Sequence, residues 1–210
     1  MIKRGFIFLS PFLYALSAFA QLPAVSSGTI KRFENFPSKY VEPRNIDVWL
    51  PENYSPKKKY AVLYMHDGQM LFDSTSNWNK QEWRVDETLG RLMKEKKIRD
   101  CIVVAIWNTG LTRSAEYFPQ KALANLSAAD QTELLPLLNS RPLSDHYLKF
   151  LVTELKPFID SVFSTHRDQP NTFVCGSSFG GLISMYAICE YPDVFGGAAC
   201  LSTHWTGLYR

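Results

Sequence analysis

The sequence predicts an α/β fold with a mostly parallel sheet and flanking helices. Short apolar runs rich in Val, Ile, Ala and aromatic residues recur along the chain, as expected of strands that are covered on both faces. Segments with helical periodicity lie between these runs, and this alternation is typical of βαβ units. A chain of 210 residues that is 46% apolar is sufficient for the core of one domain.

Each element of this fold has a local signature. Residues 28–36 and 44–50 alternate polar with apolar side chains, so we expect two antiparallel strands at a sheet edge. Ser144 is predicted to cap a helix, and a short helix is expected within residues 134–138. The apolar runs span residues 60–65, 101–107, 172–175 and 197–201, and the helical patterns span residues 82–97, 145–163 and 180–190.

The first 20 residues differ in kind from the rest. Lys3 and Arg4 precede an apolar stretch that ends in Ala-Phe-Ala, which is the layout of a secretory signal peptide. A membrane anchor is the alternative, but residues 5–20 are fewer than the roughly 20 apolar residues that a spanning helix needs. We predict a signal peptide over residues 1–20, an exported protein (periplasmic or secreted) without a membrane span after cleavage, and one domain over residues 21–210.

The charge balance bears on the class of partner. Removal of Lys3 and Arg4 from a chain with 23 basic and 20 acidic residues leaves a net charge of +1. Proteins that bind nucleic acid usually carry a clear positive excess, so this balance argues against a nucleic-acid partner.

The four cysteines lie within apolar runs and lack the C-x-x-C spacing of metal sites. Buried free thiols are the prediction, although an exported protein can oxidise a pair, and Cys189 with Cys200 is the pair to test.

The sharpest chemical motif follows the apolar run at residues 172–175. Gly176-Ser177-Ser178-Phe179-Gly180 has the form G-x-S-x-G and leads into a helical pattern, which is the sequence context of a nucleophile elbow. Such a turn raises the serine above the sheet at the positive end of a helix. We therefore predict Ser178 as a nucleophile and the Phe179 N–H as an oxyanion donor; a structural Gly/Ser turn is the alternative.

A second oxyanion donor is expected in the loop after the first central strand. His66-Asp67-Gly68-Gln69 occupies that place, and the N–H of Gln69 is the predicted donor because Gly68 permits a tight turn. His66 and Asp67 are interpreted as polar residues that hold this loop. No clustered ligands accompany them, so no metal is expected there.

Ordered blocks of distinctive sequence lie at residues 64–73, 83–87, 108–113, 116–119, 155–160 and 176–181. Together these blocks resemble one branch of the α/β-hydrolases, the esterases that include enterochelin esterases, feruloyl and acetyl-xylan esterases and esterase D. The resemblance implies an α/β-hydrolase fold that uses no metal or organic cofactor. It implies Ser178 as nucleophile and places Arg113, Glu116 and Tyr117 near the substrate pocket, with an Arg113–Glu116 pair that holds the loop as the alternative.

The partners of Ser178 are harder to place, because the chain order in this fold is serine, then acid, then histidine. Glu190 and Asp193 close the helix after the elbow and are interpreted as structural, and His204 is expected to line the substrate site, with a role as base as the alternative. We therefore expect the triad acid and histidine to follow Arg210, the sheet to lack its last strands, and the 210-residue chain alone to be a poor catalyst.

These features together predict a serine carboxylic-ester hydrolase. The predicted export implies a substrate that is met outside the cytoplasm. The resemblance implies an acylated carbohydrate or a siderophore-type ester as this small-molecule or carbohydrate substrate. Two alternatives stay open: an acyltransferase with the same acyl-enzyme, and a non-catalytic binding protein on a degenerate hydrolase fold.

Overall fold

The computed structural model describes residues 21–205, so the predicted signal peptide and residues 206–210 lie outside the described part. The described chain forms one mixed sheet of six strands with flanking helices, and the predicted α/β fold is confirmed. The strands are β1 (Thr29–Phe36), β2 (Arg44–Leu50), β3 (Ala61–His66), β4 (Cys101–Ile106), β5 (Thr172–Ser177) and β6 (Gly197–Leu201).

The helices lie between the strands and after β5. Short 3-10 turns occur at Gly68–Met70, Ser74–Ser76, Gln120–Asn125 and Gln169–Asn171. Within residues 21–205, none of the helices combines the length and apolar character that a bilayer crossing requires. The α-helices are α1 (Val85–Lys94), α2 (Arg113–Tyr117), α3 (Ala128–Leu137), α4 (Ser144–Phe150), α5 (Lys156–Val162) and α6 (Phe179–Glu190).

The strand order is β1-β2-β4-β3-β5-β6. β1 and β2 pair antiparallel at one edge, as the alternating pattern predicted, and β2 pairs antiparallel with β4. The pairs β3–β4, β3–β5 and β5–β6 are parallel. The carboxyl ends of β3, β4, β5 and β6 therefore meet at one edge of the sheet, where open α/β sheets bind their ligands.

The central strands are buried on both faces, which explains their continuous apolar sequences. In β4, Val104 packs with α4 and α6 on one face, whereas its neighbour Val103 packs with the α1 side on the other. Both valines are fully buried. Burial of one such side chain contributes about 1.5–3 kcal/mol, so the sheet centre is the stable frame that supports the carboxyl edge.

Two local predictions are corrected by the structure. Ser144 does not cap α4, because it is the first helical residue and Leu143 precedes it. The Ser144 hydroxyl instead accepts a hydrogen bond from the backbone N–H of Gln120 at 2.8 Å, a tertiary contact that replaces the capping role. The helix predicted over residues 145–163 is continuous but contains a π-helical turn at Leu151–Leu155.

The cysteines are all free thiols in the described residues, so the structure contains no Cys189–Cys200 bond. The prediction that all four are buried is wrong for Cys189, which is exposed; only Cys175 is fully buried, and Cys101 and Cys200 are half-buried. Cys189 lies in the last turn of α6, and its side chain is exposed although it belongs to an apolar stretch of sequence.

Candidate functional site

Ser178 joins β5 to α6 in a strained backbone turn. Its φ of 56° and ψ of −121° lie in a region that residues other than glycine rarely adopt. The turn is tight, because a Cβ on Gly176 would lie 2.5 Å from the carbonyl carbon of Gly180. Ser178 is consequently exposed above the sheet edge, immediately before the first turn of α6.

The end of β6 holds this turn from the other side. The N–H of Ser178 donates to the Leu201 carbonyl at 3.0 Å, and the N–H of His204 donates to the Ser178 carbonyl at 3.3 Å. The His204 ring meets the Phe179 ring edge-on, with centroids 5.2 Å apart. The structure thus places His204 beside Ser178 and Phe179, through its backbone and its ring.

The predicted oxyanion loop turns sharply after β3. Asp67 has a left-handed backbone with φ of 57°, and Gly68–Met70 forms a single 3-10 turn. Gly68 is required there, because a Cβ at this position would lie 2.5 Å from the Ala105 carbonyl carbon in β4. The loop therefore lies against the backbone of β4 and beside the elbow, where a Cβ on Gly180 would be 3.4 Å from Asp67 Oδ2.

Asp67 is the centre of an ion-pair network that ties two loops together. Arg113 donates from Nε to Oδ1 and from Nη2 to Oδ2 of Asp67, both at 2.7 Å. Asn108 Nδ2 donates to Asp67 Oδ1 at 2.7 Å, and the Asn108 backbone N–H donates to Gln69 Oε1 at 3.1 Å. Burial lowers the pKa of Arg113, but the hydrogen bonds and charge of Asp67 outweigh it, and the net pKa is raised.

The sequence analysis missed this role of Asp67, because it interpreted Asp67 only as a polar residue that holds its own loop. Two signals bear on it: an aspartate directly before a glycine favours a left-handed turn, and Asn108 and Arg113 follow the neighbouring strand β4. Parallel strands bring such loop residues together at one edge.

A buried polar cluster lies beneath the loop that follows β3. His66 Nδ1 lies 2.8 Å from the Tyr147 hydroxyl, within hydrogen-bond distance. The Tyr117 hydroxyl accepts a hydrogen bond from the backbone N–H of Asp67 at 3.3 Å. Burial lowers the pKa of His66 to about 4, so its imidazole is neutral at physiological pH. His66 therefore supports the loop from within the core.

Glu116 and Tyr117 are buried behind the site. Arg44 and Glu116 form two hydrogen bonds of 2.7 and 2.8 Å with both side chains 1% exposed. The alternative pair between Arg113 and Glu116 is therefore wrong, because each residue bonds to a different partner. Tyr117 is fully buried, and its ring lies 5.0 Å from the Arg113 guanidinium carbon. In this structure Glu116 and Tyr117 hold α2, the helix that begins at Arg113, and their contact with a substrate stays a prediction.

The acidic residues after the elbow lie away from Ser178. Glu190 bonds to Lys121 Nζ at 2.5 Å at the far end of α6, roughly 18 Å from Ser178 by helix rise. Asp193 is exposed in the following turn. Within residues 21–205, no three His, Cys, Asp or Glu side chains are grouped as metal ligands.

A cleft of about 360 Å³ opens beside the elbow. It lies between the loop after β3 and the end of β6, and Ser177 forms part of its wall. Its other lining residues combine apolar side chains with amide and carboxylate groups: Met70, Asn79, Gln81, Glu82, Trp83, Leu201 and Ser202.

Comparison with known proteins gives a family match. A family model described as "Putative esterase" matches residues 38–207. The uncharacterized protein YjcH of Bacillus subtilis is 25% identical over 174 residues, which cover 82% of this chain and 61% of YjcH. The chain thus spans about three-fifths of the length of YjcH and of a second Bacillus subtilis relative, the uncharacterized protein YbbA.

Solved structures give the same fold. A CE1 ferulic acid esterase from the anaerobic fungus Anaeromyces mucronatus superposes with a TM-score of 0.59 at 20% identity, covering 87% of this chain and 62% of the esterase. An IroE-like serine hydrolase from Shewanella oneidensis superposes with a TM-score of 0.61 at 25% identity, covering 83% and 51%. The fold is therefore that of α/β-hydrolase esterases.

Proposed function

Because the chain belongs to the esterase family whose model spans residues 38–207, we propose that it hydrolyses carboxylic esters through an acyl-enzyme on Ser178. The observation that carries the proposal is the strained elbow, which exposes Ser178 at the amino end of α6. A backbone this far from ordinary values is typical of a site where strain serves function.

The proposed reaction has two halves. Ser178 Oγ attacks the acyl carbon and gives its proton to a base, and the same proton passes to the alcohol oxygen as the ester C–O bond breaks. Water then attacks the acyl-enzyme, gives up a proton in the same way, and releases the acid while Ser178 regains its hydroxyl. The base is proposed to be a histidine that is oriented by a carboxylate.

The oxyanion that forms in each half is proposed to accept from two backbone N–H groups. The N–H of Phe179 belongs to the first turn of α6, where amides have no intrahelical partner and the helix dipole favours negative charge. The N–H of Gln69 belongs to the 3-10 turn beside the elbow. Loss of one such donor typically costs about 3 kcal/mol of barrier.

The proposed substrate is an acylated carbohydrate or a siderophore-type ester, and the proposed location is outside the cytoplasm. The mixed lining of the cleft at Ser177 suits an ester with an apolar acyl group and a polar alcohol. One of the similar structures is a ferulic acid esterase, and this likeness supports an ester as the substrate. The signal-peptide layout at residues 1–20 supports export of the single proposed domain 21–210.

The experiment that tests the proposal is covalent labelling and turnover with the protein as the gene encodes it. A fluorophosphonate should label Ser178, located by peptide mass spectrometry, and p-nitrophenyl acetate should be hydrolysed at a rate that falls at least 100-fold in Ser178→Ala. Ser161→Ala, at an exposed serine of α5, is the matched control and should retain both reactions.

The results would also separate the proposal from its alternatives. Hydrolysis that persists in Ser178→Ala contradicts the assignment of the nucleophile. A protein that never reacts with the fluorophosphonate favours a non-catalytic binding role. Transfer of the acyl group to an added sugar in place of water, seen by product analysis, favours an acyltransferase.

A further inference from the structure

We propose that Arg113 is a positioning residue: it neutralises and orients Asp67, and Asp67 in turn fixes the oxyanion loop against the elbow. The inference rests on the proposed function, because it assigns a task to residues around the proposed oxyanion donors. It replaces a direct contact between Arg113 and substrate with an action through Asp67.

The geometry gives Asp67 a single well-defined orientation. Its two carboxylate oxygens accept two parallel hydrogen bonds of 2.7 Å from Arg113, and Oδ1 accepts a third from Asn108. Paired bonds of this kind fix a carboxylate in direction as well as distance. The side chains are only 26% exposed for Arg113 and 12% for Asp67, so water competes weakly for these bonds.

The paired hydrogen bonds between Arg113 and Asp67, called the clamp below, act on the loop that carries the proposed donor Gln69. Asp67 occupies a left-handed backbone position two residues before Gln69, and the Met70 N–H closes the turn by donating to the Asp67 carbonyl at 2.8 Å. Asn108 bonds to the side chains of both Asp67 and Gln69. The direction of the Gln69 N–H is therefore set by contacts with the loop that follows β4.

The charge of Asp67 makes Arg113 necessary in a second way. Asp67 Oδ2 lies 3.4 Å from the position of a Cβ on Gly180, so a carboxylate stands next to the first turn of α6. Negative charge at this point opposes the oxyanion that forms beside Phe179. Arg113 cancels that charge, and its removal leaves an uncompensated carboxylate at the proposed site.

Orientation of the loop and neutralisation of the Asp67 charge together predict an unusual order of kcat among variants. Arg113→Gln should lower kcat about 100-fold with KM within twofold, because it loses the clamp and exposes the charge. Asp67→Asn should lower kcat about 10-fold, because it weakens the clamp without leaving a negative charge at the site. The double variant Asp67→Asn/Arg113→Gln should be about as active as Asp67→Asn, and so better than Arg113→Gln alone.

A matched control exists in the pair Arg32–Asp47, which has the same 2.7 Å geometry and lies between β1 and β2. Arg32→Gln should leave kcat and KM within twofold of the parent. The inhibition constant of a boronate, which forms a tetrahedral adduct, should rise in parallel with the loss of kcat in Arg113→Gln. A purely structural role would not order the variants in this way.

Amide hydrogen exchange tests the clamp without relying on turnover. The peptide that contains residues 66–72 should exchange at least 10-fold faster in Arg113→Gln, while the peptide that contains β2 exchanges as in the parent. Unchanged exchange at residues 66–72, or a double variant less active than Arg113→Gln, would overturn the inference. Activity that is lost in Ser178→Ala but unaffected in Arg113→Gln would also overturn it while leaving the proposed function standing.

Discussion

Arg44 and Glu116 form a bidentate ion pair in which both side chains are 99% removed from solvent, although 72 residues separate them in the chain. Thr112 adds a hydrogen bond to Glu116 at 3.1 Å. The pair joins the start of β2 to α2 and so anchors the helix that begins at Arg113.

Removal of one partner of this pair should be strongly destabilising. Glu116→Gln leaves the Arg44 charge buried without a counter-ion, which costs about 3–5 kcal/mol in the free energy of unfolding. Urea denaturation followed by circular dichroism measures this loss. The double variant Arg44→Met/Glu116→Leu removes both charges and should recover most of it. A loss below about 1 kcal/mol in Glu116→Gln would show that water reaches the pair.

Stability should fall between neutral pH and pH 5 because of His66. Burial lowers its pKa to about 4 in the folded protein from about 6.5 when unfolded, so the unfolded chain takes up a proton first as the pH falls. The loss begins below pH 6.5 and amounts to about 2 kcal/mol at pH 5. Chemical denaturation at pH 7 and pH 5 measures it.

The control for this pH dependence is His66→Asn, which retains a polar group near the Tyr147 hydroxyl but does not titrate. Its free energy of unfolding should change less between pH 7 and pH 5 than that of the parent, by about the 2 kcal/mol assigned to His66. Parallel curves for the two proteins would contradict the assignment.

How far the sequence predicts this molecule depends on the range of the interactions involved. The apolar run at residues 101–107 predicts β4 (Cys101–Ile106) to within one residue, because strand burial leaves a continuous local signature. The Asp67–Arg113 pair joins residues 46 apart, and nothing in either loop alone reveals the other. The cap predicted at Ser144 failed for the same reason, since the distant Gln120 N–H takes its hydroxyl.

The two glycines of the elbow should respond differently to alanine. A Cβ on Gly176 would lie 2.5 Å from the backbone of Gly180, so Gly176→Ala forces the strand and helix apart and costs about 1–3 kcal/mol. A Cβ on Gly180 meets only ordinary contacts at 3.4 Å or more. Gly180→Ala should therefore be neutral, or stabilising by about 0.5–1 kcal/mol through helix propensity. Thermal denaturation compares them, and equal losses would contradict the steric argument.

Thiol titration should find one fast cysteine in the native protein and four after denaturation. Cys189 is exposed, whereas burial raises the pKa of Cys101 to about 12 and that of Cys175 to about 11. A thiol with so high a pKa has little reactive thiolate at pH 8. Cys189→Ser should abolish the fast phase seen with Ellman's reagent. Two thiols in denatured, unreduced protein would instead indicate an oxidised pair.

The strands β3, β5 and β6 are each followed directly by a residue other than glycine with a positive φ. These residues are Asp67, Ser178 and Ser202, with φ values of 57°, 56° and 42°. Each such conformation costs on the order of 1–3 kcal/mol and persists only while tertiary contacts hold it. Relaxation of the backbone at the carboxyl edge of the sheet would therefore release this conformational free energy. On warming, the geometry around Ser178 should be lost while the strands beneath it are still paired, so inactivation should precede unfolding.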